Sequence, residues 1–359
     1  MKEINYLKDG GKISLVAPSF GCTTEPYKTR LQVAINNFKK LGYEVDEGPN
    51  IFLAKHKARS NSAKKCAKEF MDAYLSDSDC VIAVGGGEIM CDILPYIDFK
   101  KLKKAPHKFF MGFSDPTNLT YTLATIAEIP TIYGDNAGSF AFYPFEYSTK
   151  DSFELITGKT KFTKGYPVWE RYREKDVEPL QKANMSEKKV IRTYPRKDYF
   201  LLEGRLLGGN LDILSNLCGT KYDHTKEYIE KYKDDGIIWF VEACDLNVMS
   251  IRRALFQLKE AGWFKYVKGF LIGRPLCFGE KPFGISNYEA CIEMLKDQHV
   301  PLLMDVDLGH FNPSMPIITG VKAKVEYKEK IRKFFCDNVF KMLKSFSKVS
   351  STFFINLCK

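Results

Sequence analysis

No stretch of this chain approaches the ~20 consecutive apolar residues of a membrane span, so no membrane partner is expected. The opening Met1-Lys2-Glu3-Ile4-Asn5 leads into Asp9-Gly10-Gly11-Lys12 without an apolar signal-peptide core, and a cytoplasmic location follows as an expectation. The ten cysteines are scattered, with no C-x-x-C pair among them. Metal-ligand spacing is therefore absent. Most of these cysteines fall in apolar patterns and read as small buried hydrophobes of a reducing compartment. A basic stripe with interleaved aromatics is also missing. The formal charge of +10 comes from dispersed lysines such as Lys39-Lys40, Lys64-Lys65 and Lys101 with Lys103-Lys104. That pattern describes a solvated surface and excludes a nucleic-acid reader.

What remains is ordinary globular composition, 45% hydrophobic and 27% charged, on 359 residues. That length holds one large or two medium domains. The first part alternates strand-like and helix-like stretches. Ile13-Ser14-Leu15-Val16-Ala17 reads as a buried strand, and Leu31, Ala34, Ile35, Phe38 and Leu41 share one face of a helix that stops at Gly42. A second helix carries Ala63, Ala67, Phe70 and Tyr74. The strand Cys80-Val81-Ile82-Ala83-Val84, a Gly85-Gly86-Gly87 turn, another helix, and a strand ending at Gly112 follow. This β-α-β-α order predicts a parallel sheet covered by helices over residues 1–160. The pattern breaks over 161–197, read as a connection overhanging the site. It resumes over 198–340 with strands ending at Glu242 and Ile272 and an amphipathic helix bearing Val248, Ile251, Leu255 and Leu258. Residues 341–359 form a basic tail with no assigned role.

Three residues each follow a buried-strand-like run: Ser114 after Phe109-Phe110-Met111-Gly112-Phe113, Glu242 closing Ile237-Ile238-Trp239-Phe240-Val241, and His310 in Leu308-Gly309-His310-Phe311-Asn312-Pro313. An alcohol, a carboxylate and an imidazole supply the parts of a serine hydrolase. Side chains just past strand ends sit where open α/β sheets bind ligands. Taken alone, Ser114 reads as a helix N-cap, and Glu242 equally as the partner of a histidine or as half of a salt bridge to Arg252 or Arg253. His310 is one of only five histidines, and the others lie in lysine-rich or polar runs or at a helix end. It is the best general-base candidate. The Asp115 N–H is one candidate oxyanion donor and an N–H of the Gly85–Gly87 turn the second. That turn also resembles the phosphate-binding loop of iron-type alcohol dehydrogenases and dehydroquinate synthases. A nucleotide-dependent oxidoreductase therefore stays open as an alternative, as does a non-catalytic binding protein.

With these residues in place, the chain resembles the LD-carboxypeptidase family of serine peptidases, including its microcin C-type immunity branch. The likeness is carried by Leu15-Val16-Ala17-Pro18-Ser19, Gly112-Phe113-Ser114-Asp115, Gly208-Gly209-Asn210-Leu211, Leu217-Cys218-Gly219-Thr220, Glu242, Gly309-His310 and Gly320-Val321. The resemblance implies a Rossmann-like N-terminal domain carrying Ser114 and a C-terminal α/β domain, with its own smaller sheet, carrying Glu242 and His310. It implies an oxyanion hole from the amides of Asp115 and Gly86, a homodimer, no cofactor, and a small peptide or peptide-conjugate substrate. Candidate substrate contacts are Gly85, Gly87, Glu88, Asn210 and Trp169, the last on the connection where the immunity branch stacks a nucleobase. Glu88 departs from the family, whose members often place an aromatic or small polar residue shortly after the glycine pair.

Overall fold

Runs such as Cys80-Val81-Ile82-Ala83 have no exposed position, the mark of a parallel strand covered on both faces. They build the first of two large sheets in the computed structural model, which describes residues 4–172, 178–329 and 352–357. This sheet holds β1 (Ile4–Asn5), β2 (Lys12–Val16), β3 (Glu44–Glu47), β4 (Cys80–Ala83), β5 (His107–Gly112) and β6 (Thr131–Tyr133). Five of them run parallel in the order β3-β2-β4-β5-β6, with β1 beside β5. Counted along the chain that order is 2-1-3-4-5, a doubly wound sheet whose direction of winding reverses between β2 and β4. The crevice at that reversal is where such sheets receive ligands.

Helices α1 (Tyr27–Lys40), α2 (Ala63–Leu75), α3 (Phe99–Lys104), α4 (Thr117–Thr122) and α5 (Tyr147–Ile156) flank it. The expected apolar stripes are the buried ones: Leu31, Ala34, Ile35 and Phe38 on α1, and Ala67, Phe70 and Tyr74 on α2. After the glycine turn the chain forms not a regular α-helix but a tighter 3₁₀ stretch, Met90–Tyr96, with Pro95 inside it. Proline lacks the N–H that an α-helix would use there.

The second sheet corrects the expectation that it is the smaller. It has eight strands against seven. The extra strands come from stretches with weak sequence signals. The connection 161–197 supplies β7 (Phe162–Lys164), a two-stranded ribbon of β8 (Val168–Trp169) and β9 (Glu187–Lys188), and β10 (Arg192–Tyr194). The main strands are β11 (Tyr199–Asn210), β12 (Ile237–Glu242), β13 (Val267–Gly273), β14 (Leu302–Val306) and β16 (Lys322–Lys328), while β15 (Ile317–Thr319) is the seventh strand of the first sheet. From the tail, 352–357 forms β17 (Thr352–Leu357), which pairs with β16 and β7; the rest of 341–359 lies outside the described residues. The order is β10-β14-β13-β12-β11-β16-β17-β7. Helices α6 (Leu211–Leu217), α7 (Thr225–Lys231), α8 (Val248–Glu260) and α9 (Asn287–Leu295) complete this half. Among the described residues no helix is long and apolar enough to cross a membrane.

Two features join the halves. One apolar cluster runs through both, with Phe110, Leu119 and Tyr121 packed with Leu207, Trp239 and Trp263. The Tyr121 ring stacks on Trp263 at 5.3 Å. The chain also returns: β15 leaves the second half and pairs antiparallel with β6, Ile317 against Tyr133. Strand β11 changes character along its length. Tyr199–Arg205 pairs antiparallel with β16, alternating exposed and buried at its start, and Arg205–Asn210 pairs parallel with β12, buried from Leu206 on. At that buried end the backbones meet so closely that a Cβ on Gly208 (φ +154°) would lie 1.7 Å from the Phe240 carbonyl oxygen. Gly208→Ala is therefore expected to lower the unfolding free energy by roughly 3 kcal/mol in denaturant titrations. A change below about 0.5 kcal/mol would contradict this packing.

Candidate active site

Strand β5 ends at Gly112, and two residues later Ser114 adopts φ +72°, a left-handed conformation uncommon outside glycine. The turn closes when the Thr117 N–H donates to the Ser114 carbonyl at 2.8 Å. Helix α4 begins only at Thr117, after Pro116, and no side chain caps it. Ser114 is thus not a cap. Its Oγ projects from a sharp strand-to-helix turn, as nucleophiles of α/β hydrolases do, and lies 3.0 Å from His310 Nε2. His310 sits on the segment crossing from β14 of the second sheet to β15 of the first, which brings it over the end of β5. Its Nδ1 lies 3.0 Å from Glu242 Oε2 at the C-terminal end of β12. Gly309 (φ +110°) makes room, since a Cβ there would stand 2.8 Å from that same oxygen.

Glu242 is 2% exposed, and every oxygen is used. Oε1 accepts from the Tyr133 hydroxyl at 2.6 Å and from Asn210 Nδ2 at 2.8 Å. Arg252 and Arg253 play no part, bonding instead to Glu293 and Ser250. Burial by itself pushes the Glu242 carboxyl up. The His310 charge and the donors His310, Tyr133 and Asn210 more than offset this and hold it below the ordinary glutamate value. Burial likewise disfavours the His310 cation, but the Glu242 charge outweighs it and the imidazole pKa is raised. Burial and Glu242 push the Tyr133 phenol up, so it stays a donor. Burial also raises the Cys244 thiol beside His310, which keeps it neutral.

The other face of Ser114 meets the glycine turn. A Cβ on Gly86 would lie 3.3 Å from Ser114 Cβ and 3.4 Å from its Oγ. Glycine there lets the backbone approach Ser114 closely. Asp115 is buried, its Oδ2 accepting from Ser19 Oγ at 2.6 Å and the Met90 N–H at 3.0 Å, its Oδ1 from Asn118 Nδ2 at 3.0 Å. Burial pushes its carboxyl up to about 6.

Ser114, His310, Gly85, Gly86, Gly87 and Glu88 all line one cleft of about 600 Å³, within the range of small-ligand sites. Glu88 is exposed at its wall. The connection contributes Glu170 and residues 181–185 to the lining. Glu170 clips this strap to the histidine loop: its N–H donates to the Asn312 carbonyl at 2.8 Å, and its Oε2 accepts from Asn312 Nδ2 at 2.7 Å. Two expected substrate contacts lie elsewhere. Trp169 is 5% exposed and enclosed by Phe278, Phe311 and the Arg274 guanidinium, 4.6 Å over its ring. A buried ring offers no face for stacking a base. Asn210 is buried as well, its Oδ1 capping α6 through the Ile213 N–H and its amide serving Glu242. It positions the acid rather than touching the cleft. Two residues escaped the sequence reading. Tyr133, ending a short strand before Gly134, both donates to Glu242 and accepts the Ser114 N–H at 3.3 Å. Ser19 stood in a quoted motif without a role. A buried tyrosine needs a hydroxyl partner, which is the one signal Tyr133 offered.

Comparison with known proteins assigns a family and a fold. A model of the LD-carboxypeptidase N-terminal domain matches residues 13–134, and one of the LD-carboxypeptidase C-terminal domain matches residues 203–325. A putative carboxypeptidase of Vibrio cholerae is 27% identical over 330 residues, covering 89% of this chain and 94% of the relative. The microcin C7 self-immunity protein MccF of Escherichia coli is 26% identical over 285 residues, covering 76% of this chain and 78% of MccF. A probable murein peptide carboxypeptidase of Bacillus subtilis is 24% identical, covering 91% and 93%. In fold, the chain superposes on MccF solved with aspartyl sulfamoyl adenosine with TM-score 0.73 at 21% identity, covering 90% and 95%. With both halves matched in order, the chain belongs to the LD-carboxypeptidase family of serine peptidases.

Proposed function

We propose that the chain hydrolyses a peptide or amide bond through a covalent acyl-enzyme on Ser114. The observation that carries this reading is the continuous relay of 3.0 Å contacts from Ser114 Oγ through His310 to Glu242. Ser114 Oγ attacks the carbonyl carbon as His310 Nε2 takes its proton. The tetrahedral oxyanion accepts from the amides of Gly86 and Asp115, the C–N bond breaks, and His310 returns the proton to the leaving amine. Water repeats the sequence on the ester and restores Ser114. Glu242 holds the imidazole in the required tautomer and stabilises its cation.

Two substrates suit this chemistry. One is a murein tetrapeptide losing a terminal D-Ala from an L-centre. The other is an aminoacyl-nucleotide or similar conjugate, detoxified by cleavage. The relatives' names support both, and the departure at Glu88 favours the immunity-like branch. Glu88 lies within the cleft and suits a substrate ammonium group. The free, buried thiols of Cys22, Cys66, Cys80, Cys277 and Cys291 support a reducing, cytoplasmic setting. A homodimer is the assembly that the family resemblance implies. The oxidoreductase alternative is not favoured, because it leaves the Ser114–His310–Glu242 relay without a role.

Three outcomes are expected. A serine-directed fluorophosphonate labels Ser114 alone, and Ser114→Ala loses more than ~10³-fold of its hydrolysis while its circular dichroism is unchanged; hydrolysis retained by that variant refutes the assignment. The imidazole must be neutral to act as base, and its raised pKa places the acid limb of kcat/KM above about pH 6.5. Glu242→Gln removes the charge that raises it, so the limb moves to lower pH while kcat falls ~10³-fold or more. An unmoved limb would break the link to Glu242. Finally, Glu88→Gln raises KM roughly fivefold for a substrate with a free amine and leaves its N-acetylated form unaffected. Equal effects on both would remove Glu88 from substrate recognition.

A further inference from the structure

The two candidate oxyanion amides belong to separate segments. Gly86 follows β4 and Asp115 follows β5, and an oxyanion hole requires both at fixed spacing from Ser114 Oγ. The backbone does not join them locally, so something else must set that spacing. The loop after β2 reaches across. The Phe20 N–H donates to the Gly86 carbonyl at 3.1 Å, and the Ser60 N–H anchors the Ser19 carbonyl at 2.7 Å. Ser19 Oγ in turn donates to Asp115 Oδ2 at 2.6 Å, and the same oxygen takes the Met90 N–H at 3.0 Å from the far side of the glycine turn. Gly87 (φ +143°) is pressed into this junction, since a Cβ on it would lie 2.1 Å from Ser19 Oγ and 3.0 Å from Asp115 Oδ2. One carboxylate oxygen thus ties together the loops that follow β2, β4 and β5, beside the nucleophile.

We propose that the Asp115 side chain, through Ser19 and the Met90 amide, is the positioning group that holds the Gly85–Gly87 turn at oxyanion distance from Ser114. It rests on the hydrolase reading given above. The role is distinct from that of the Asp115 amide, because substituting the side chain leaves both backbone donors in the chain. It also gives a function to Ser19, whose motif otherwise has none.

The test uses the full chain and a fluorophosphonate, in which Ser114 Oγ forms a bond to phosphorus, the P–F bond breaks, fluoride leaves and the serine proton passes to His310. The phosphoryl oxygen then occupies the oxyanion position. Asp115→Ala is expected to slow labelling about 100-fold, and Ser19→Ala about tenfold, while Asp115→Asn, which keeps an oxygen for Ser19 and Met90, stays within about tenfold of wild type. With a tetrapeptide ending in D-Ala as substrate, kcat falls by the same factors and KM stays within about threefold, because only the transition state carries the oxyanion. Folded Asp115→Ala and Ser19→Ala proteins that label within threefold of wild type overturn the proposal, as does a rise in KM with kcat unchanged. Should Asp115→Ala fail to fold, Ser19→Ala decides by the same criterion. Labelling of the wild type separates the two levels: its absence overturns the hydrolase reading and this inference together, whereas its presence with unaffected variants overturns the inference alone.

Discussion

A single buried carboxylate organises this molecule. Glu242 closes a strand with no exposed position, where an unpaired charge costs several kcal/mol. The fold must deliver donors to it, and they come from three separate places: Asn210 from the adjoining strand, Tyr133 from the other sheet, and His310 from the segment that crosses between the sheets. Satisfying the acid therefore requires both halves to be docked. The same act of docking brings His310 onto Ser114, so the requirement of burial and that of the proposed catalysis have one solution.

The crossing from β14 to β15 is what makes this possible. A histidine on a loop belonging to the second sheet alone would depend on the relative placement of two domains. Here the chain is fixed at both ends, in β14 on one side and, through Ile317 against Tyr133, in the first sheet on the other. Tyr133 is at once the partner of that pairing, the donor to Glu242 and the acceptor for the Ser114 amide. The strap clipped by Glu170 to Asn312 adds a third restraint on the histidine loop. Such over-determination is what preorganised sites require, because a displacement of about 1 Å is costly to catalysis.

How much of this could be read in the sequence follows from the range of each interaction. Apolar periodicity is local, and it located α1, α2, α8 and the buried strands that end near Ser114 and Glu242. Strand ends are also local, so the three candidate side chains stood out by position. What was not legible is non-local. Ile317-Ile318-Thr319 reads as a strand, but nothing in it says that it pairs with Tyr133 rather than with its own half. The short strands β7 and β10, and β17 in the basic tail, are stabilised by neighbours more than by their own patterns. Trp169 was expected at the substrate because of where it lies in the chain; Arg274, Phe278 and Phe311, distant in sequence, are what enclose it. Asn210 was expected there too, yet its amide faces the acid.

The site also shows how one environment separates two acids. Asp115 and Glu242 are both nearly fully buried, and each carboxylate receives three hydrogen bonds. Burial raises both. Yet Asp115 is pushed up to about 6, whereas Glu242 is held below its ordinary value. The donors to Asp115 are a hydroxyl, an amide N–H and a side-chain amide, all neutral. Glu242 has a hydroxyl and a side-chain amide, with an imidazole that can carry charge in place of the backbone N–H. At Asp115 neutral hydrogen bonds do not outweigh desolvation, to which the nearby Glu88 charge adds, whereas at Glu242 the His310 charge together with the hydrogen bonds does outweigh it. Glu242 is held ionised with His310 beside it, which is the state that the proposed attack by Ser114 would require of the imidazole. Asp115, with no cation in contact, is better suited to holding loops than to balancing charge, and the structure uses it at the place where three loops converge.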